Sequence, residues 1–349
     1  MSDTKIMPPK PSRRGYILLA GAIALVVAGW SAAWLYGQSV LQEQLDRQIA
    51  RMADQGLDLS CANLGIAGYP FRYEVTCADL RSADRWGAAA SVGGLNAVAL
   101  VYNPWHVIFE ATSPAAMSVP VNGLQGDLTW QTARASVKFS DNALGSLDAV
   151  VDKPEAAFDT ALARGLFAAE KTEIHLRKLP ESVATLEAFL SVQDLSLKSL
   201  PELQQTISLR GHARIDGGTA LLAGADLFSL VQAQGGELPV ELVLAEAALG
   251  SGKATASGNL VLAGDGTLSG SLELALGNPE ALLDTLKPLF PPEDQTYTLL
   301  QNVVKSLEPA AKDVDGVRTV SLPVSVDRGL VRIGFLPLGQ IPPLFSAGS

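Results

Sequence analysis

Histidine and cysteine, on which much enzyme chemistry is built, are scarce in this 349-residue chain, which holds three histidines and two cysteines. His106, His175 and His212 lie at no metal-ligand spacing from one another, and Cys61 and Cys77 do not form a C-x-x-C, so neither a metal centre nor a reactive thiol pair is expected. The chain also lacks H-E-x-x-H, G-x-S-x-G, and G-x-G-x-x-G after a strand. Gly250-Ser251-Gly252-Lys253 has the look of a phosphate loop, but Ala247 occupies the first glycine position and Ala254 replaces the hydroxyl residue. No cofactor and no catalytic activity are therefore expected.

Basic charge is scarce too. Residues 1–37 carry Lys5, Lys10, Arg13 and Arg14 against Asp3, so with a net charge of −10 the remainder stands at −13. An acidic body is repelled by phosphate backbones, which argues against nucleic acid as a partner. Aromatic residues are only 6% of the chain, yet 48% is hydrophobic and 18% charged, enough apolar material for a folded protein and far from the composition of disorder.

Gly15 to Gly37 is a largely apolar stretch of 23 residues with no charge, where about 20 suffice to cross a bilayer as a helix. Arg13 and Arg14 abut its start, and Trp30, Trp34 and Tyr36 lie near its end, the places where basic and amphipathic side chains meet headgroups. The positive-inside rule keeps residues 1–14 in the cytoplasm and places the bulk across the membrane, in a bacterial periplasm with the inner membrane as its base. A cleaved signal peptide is the competing reading, with Ser31-Ala32-Ala33 as a loose cleavage site. Leu41, Leu45, Ile49 and Met52 extend a helical stripe to Gly56, predicting a neck over 38–56 whose stripe packs on its own domain or, alternatively, pairs with a partner.

Residues 57–349 read as strands. Leu57, Leu59 and Cys61 before Gly68-Tyr69-Pro70-Phe71-Arg72, and Tyr73, Val75 and Cys77 after it, share one face of a hairpin centred on Tyr69, which would set Cys61 opposite Cys77 in a disulfide. Leu262 is expected opposite Leu268 across a three-residue loop with Gly266 left-handed, and Val326 opposite Val331 across a two-residue turn at Arg328-Gly329. Further alternation marks 124–130, 135–139, 173–179, 195–200, 206–216 and 238–244, with His175 and His212 on polar faces. Helices are predicted from Pro180 to Leu190, from an N-cap at Asn278 to Phe290, and from Glu293 to Leu307. Trp105 and His106, in YNPWHVIFE, are the least bland of the polar and aromatic residues and the candidate partner contact. GAAASVGGL and GKATASGNL hint at two halves of similar layout, near 57–200 and 201–349, although shared strand composition explains the likeness more simply.

The anchor, the Cys61…GYPFR…Cys77 segment, GKATASGNLVLAGDGTLSGSLEL and the closing DRGLVRIGFLPLGQIPPL together resemble the uncharacterised bacterial family called domain of unknown function 2125. The resemblance implies an exported bacterial protein and supplies no site. More loosely, an anchor followed by a long β-rich body is similar to the AsmA-type envelope proteins, a likeness that implies an association with lipid handling. The expected fold is mainly β with a few helices: a transmembrane helix followed by an extended, curved antiparallel sheet. The expected function is a membrane-anchored envelope protein that binds lipid or a hydrophobic partner on an apolar sheet face; the alternative is a structural or interaction module with a filled core.

Overall fold

The computed structural model describes residues 13–120, 123–140, 143–160, 164–291, 295–314 and 316–345. The predicted tail before Arg13 and the predicted helix start at Glu293 lie outside them. Helix α1 (Arg13–Asp54) runs unbroken through both the apolar stretch and the predicted neck. Gly56 ends it at φ +87°, a left-handed conformation that glycine adopts without a Cβ penalty, and Arg85 donates to the carbonyl of Gln55 at 2.9 Å.

The rest is one mainly antiparallel system of 21 strands among the described residues. It starts with β1 (Leu57–Ala62), β2 (Gly65–Ala67), β3 (Arg72–Cys77), β4 (Asp79–Asp84) and β5 (Ala89–Leu100). The predicted hairpin register is corrected here. Strand β2 pairs with β3 through Ile66–Val75, whereas β1 departs and pairs with β4, where Cys61 faces Leu80. Asn63, at φ +54°, breaks the strand between the two ladders. The disulfide Cys61–Cys77 nevertheless forms, joining β1 to β3 across this step with a Cα–Cα distance of 5.6 Å.

Next come β6 (Asn103–Val119), β7 (Leu124–Thr129), β8 (Thr132–Ser140), β9 (Ala143–Asp152), β10 (Glu155–Asp159), β11 (Arg164–Ala168), β12 (Lys171–Leu179) and β13 (Ser182–Leu197). The long strands β6 and β13 are bridged twice. On one tier the ladder runs β6–β8–β9–β12–β13, and on the other β6–β7–β10–β11–β13. The tiers divide where β6 carries Pro114, which has no N–H to give a ladder; Ala111 still pairs with β8 and Ala115 already pairs with β7.

The predicted helix over Pro180–Leu190 is overturned, because β13 occupies most of it. Leu186, Ala188 and Leu190 alternate with Glu187, Phe189 and Ser191, and partners on both sides, β12 and β14 (Ile207–Ile215), satisfy the backbone. The ladder continues through β15 (Glu237–Leu249), β16 (Gly252–Ala263), β17 (Leu268–Gly277), then past the short β18 (Lys312–Val314) to β19 (Val317–Asp327), β20 (Leu330–Ile333) and β21 (Leu336–Gln340). Leu262 faces Leu268 with Gly266 at φ +82°, and Val326 faces Val331 with Arg328 and Gly329 both at positive φ, the two turn geometries that the sequence predicts.

Helices seal parts of this sheet. The sequence reading missed α2 (Thr219–Leu222) and α3 (Leu227–Ala233), whose Leu230 and Val231 join Leu238 and Leu262 in the most deeply buried cluster, with Ile215, Leu268 and Phe345 around it. Asp226 caps α3 by accepting from the Ser229 amide at 2.8 Å. Helix α4 (Pro279–Leu286) lies on β16, and α5 (Thr296–Leu307) follows it. Asn278 is the N-cap and Pro279 opens α4 as expected, the Asn278 carbonyl accepting from the Leu282 amide at 3.1 Å, but Asn278 is left-handed and donates its side-chain amide to the Ser251 carbonyl in place of capping.

Candidate functional site: an apolar sheet face beside the N-terminal helix

Register decides which side chains share a face. Starting at Val75, the partners read across the ladder are Ala97, Phe109, Ala135, Ala149 and Ile174, and then Leu190, Gly211, Ala245, Ala256, Leu274 and Leu322. This row crosses twelve strands without a polar side chain. At a strand spacing of 4.7–4.9 Å it extends about 50 Å. None of its members is buried, and Ile174 and Leu190 are 39% and 44% exposed. Helices α2 and α3 contact β9, β13 and β15, and α4 contacts β16; on the same face Val137, Leu186, Leu260, Val320 and Val324 are buried, so the row is open at Ile174 and Leu190 and partly covered elsewhere.

One residue further along each strand the chemistry inverts. The same ladder presents Asn96, Glu110, Arg134, Glu173, Arg210 and Glu246 on the opposite face. Between these the ladder passes through Val150 and Ser191, and the charges on this face pair: Arg134 with Glu110 at 3.3 Å, Lys253 with Glu246 at 2.6 Å, and Arg210 with Glu246 as well. All three histidines lie on this face. His106 bonds Ser136 at 2.8 Å, His175 bonds Asp148 at 2.8 Å, and His212 bonds Glu187 at 2.9 Å.

Glu187 is the centre of the densest cluster, only 5% exposed, with Arg177 at 2.5 Å and Arg214 at 3.5 Å besides His212. Burial pushes its carboxyl up, but the hydrogen bonds from His212 and Arg177 and their positive field outweigh that and hold it below the ordinary glutamate value. Glu246 is held down in the same way: burial opposes, and Lys253 and Arg210 prevail. These partners neutralise one another across neighbouring strands, as expected of a charged sheet face. Among the described residues no group of three or more His, Cys, Asp or Glu is placed to hold a metal ion.

Helix α1 meets the sheet at the GYPFR turn. Trp34 is buried, stacks on Tyr73 with centroids 5.4 Å apart, meets Tyr69 edge-on at 5.6 Å, and donates its indole N–H to the Arg72 carbonyl at 3.1 Å. Trp30 donates to the Pro70 carbonyl at 2.9 Å, and Ser31 shares a hydrogen bond with the Tyr69 hydroxyl at 2.8 Å. Gly68, at φ +103°, sits where a Cβ would press on the Arg72 backbone. Gln38 reaches the Ile66 carbonyl, and Leu41, Leu45 and Ile49 continue the stripe half-buried. Trp105 and His106 fall apart in role: His106 is engaged with Ser136, whereas Trp105 is 58% exposed. No sequence motif announces the apolar row, because its members come from strands spread over 75–322 and only the register aligns them.

The fold and this geometry define a class: a mainly β protein of one large antiparallel sheet, with an apolar row on one face and one N-terminal helix long and apolar enough to cross a membrane. The chain belongs to the family described as uncharacterised proteins conserved in bacteria, domain of unknown function 2125, whose family model matches residues 34–342. No curated protein and no solved structure matches the chain.

Proposed function

We propose that this is a non-catalytic, single-pass protein of the bacterial inner membrane, with its N-terminus in the cytoplasm and its sheet in the periplasm, and that the apolar face holds the acyl chains of lipid. The observation that carries the reading is the twelve-strand uncharged row, in which Ile174 and Leu190 are 39% and 44% exposed. A face that served only as core would bury these two side chains as it buries Val137 and Leu186. Its span of about 50 Å exceeds the ~30 Å hydrocarbon thickness of a bilayer, so extended acyl chains fit along it. The orientation is supported by four basic residues before the apolar stretch against Arg47 and Arg51 in the 20 residues after it.

The test is photocrosslinking of the full chain in proteoliposomes containing a phospholipid with a photoreactive acyl chain, followed by mapping of the adducts. Adducts on β9, β12 and β13 that disappear in Leu190→Asp are the expected result. Adducts confined to α1 would remove the lipid reading and leave an interaction module, with the same face covered by another protein.

A further inference from the structure

Helix α1 does not carry the sheet on a free stalk. Its hydrogen bonds fix the domain at a definite depth. Arg14 and Trp34 are separated by 20 residues, or ~30 Å of helix, the hydrocarbon thickness of a bilayer. Placing Arg14 at one interface puts Trp34 at the other, and Trp30 one turn deeper, by ~6 Å. Trp34 is bonded to the carbonyl of Arg72 and Trp30 to that of Pro70, so the turn follows the helix down to the level of Trp30.

A second loop comes with it. The Val101 amide donates to the Phe71 carbonyl at 3.0 Å, holding the tip between β5 and β6 against the turn. The two segments expose four rings: Tyr69 at 51%, Phe71 at 64%, Tyr102 at 75% and Trp105 at 58%. A chain with only 6% aromatics has placed these rings beside the exit of its apolar helix. Amphipathic rings favour the headgroup level, where an apolar body and a polar edge are both satisfied.

We infer that the turn Tyr69–Phe71 and the adjoining tip at Tyr102 and Trp105 form a membrane-docking surface, seated at the boundary between headgroups and acyl chains of the same bilayer that α1 crosses. The surface uses ring burial and not basic charge, which the acidic body has too little of to offer. Docking holds the sheet against the membrane: Trp105 shares its strand face with Val107, which pairs with Ala99 opposite Tyr73 on the apolar side. The apolar face therefore begins at the lipid. The inference rests on α1 spanning a membrane and not on what the apolar face binds.

The full chain is reconstituted in nanodiscs of phosphatidylethanolamine and phosphatidylglycerol. An environment-sensitive dye is attached at Phe71→Cys, at Tyr102→Cys and, as the remote reference, at Trp86→Cys, with the native disulfide kept oxidised. Lipids carrying a nitroxide near the headgroup should quench the dye at 71 and 102 several-fold more than at 86. Equal quenching at all three sites, with the chain retained in the disc, would overturn the docking surface while leaving the anchor intact. Loss of the chain from the disc at alkaline pH would overturn the anchor and the docking surface together. Should a labelled variant misfold, hydroxyl-radical footprinting of the unsubstituted chain in the same discs decides: Phe71 and Tyr102 are protected relative to Trp86 if docked, and react as freely as Trp86 if not.

Discussion

Glu187 shows how a single residue is made safe in a sheet. Its carboxylate is nearly closed off from water, and three bases from two neighbouring strands surround it. Its folded pKa lies below the ordinary 4.5, so its contribution to stability is complete above that value and is lost as pH falls through the folded pKa. Glu187→Gln is expected to cost about 2 kcal/mol at neutral pH and to flatten the loss of stability below pH 4.5, which urea unfolding at pH 7 and pH 3.5 will read. Cys61 and Cys77 present the opposite case, a covalent link legible from the sequence, although the sequence set it in the wrong ladder. Its removal in Cys61→Ser/Cys77→Ser, or by reductant, should lower stability by about 3 kcal/mol for a loop of this length, seen as a lower melting temperature.

At the scale of elements, α1 and the GYPFR turn behave as one unit. Trp34→Ala removes a stacked ring, an edge contact and an indole hydrogen bond, and is expected to cost about 3 kcal/mol. The segment carrying Arg47 and Arg51 should then be cut by trypsin several-fold faster. Turn chemistry made other elements legible: Gly266 and Gly329 stand at positive φ where the apolar parity demands a three-residue and a two-residue loop. Gly329→Ala should cost about 1–2 kcal/mol, since left-handed backbone is unfavourable for a residue with a Cβ, as denaturant unfolding will show. Where local signals were equivocal the reading failed. Pro180 through Leu190 has helical composition as much as strand alternation, and only the partners on either side of β13 settle it. Helices α2 and α3 escaped notice because each is a short segment defined by the apolar patch it covers.

The whole molecule is a sheet with two chemistries, an apolar row on one face and paired charges on the other. Because Leu190 is 44% exposed, Leu190→Ser should change stability by about 1 kcal/mol or less while weakening lipid capture; equal loss of both would mark the residue as core. Sequence alone determined the long apolar N-terminal helix, the acidic body, the paired cysteines, the tight turns and the predominance of strand, because each depends on residues close together in the chain. Only the tertiary structure decided the strand partners, the two tiers, the apolar row and the docking of Trp30 and Trp34 on the turn. Those depend on register between distant segments, and a shift of one residue would exchange the two faces of a strand.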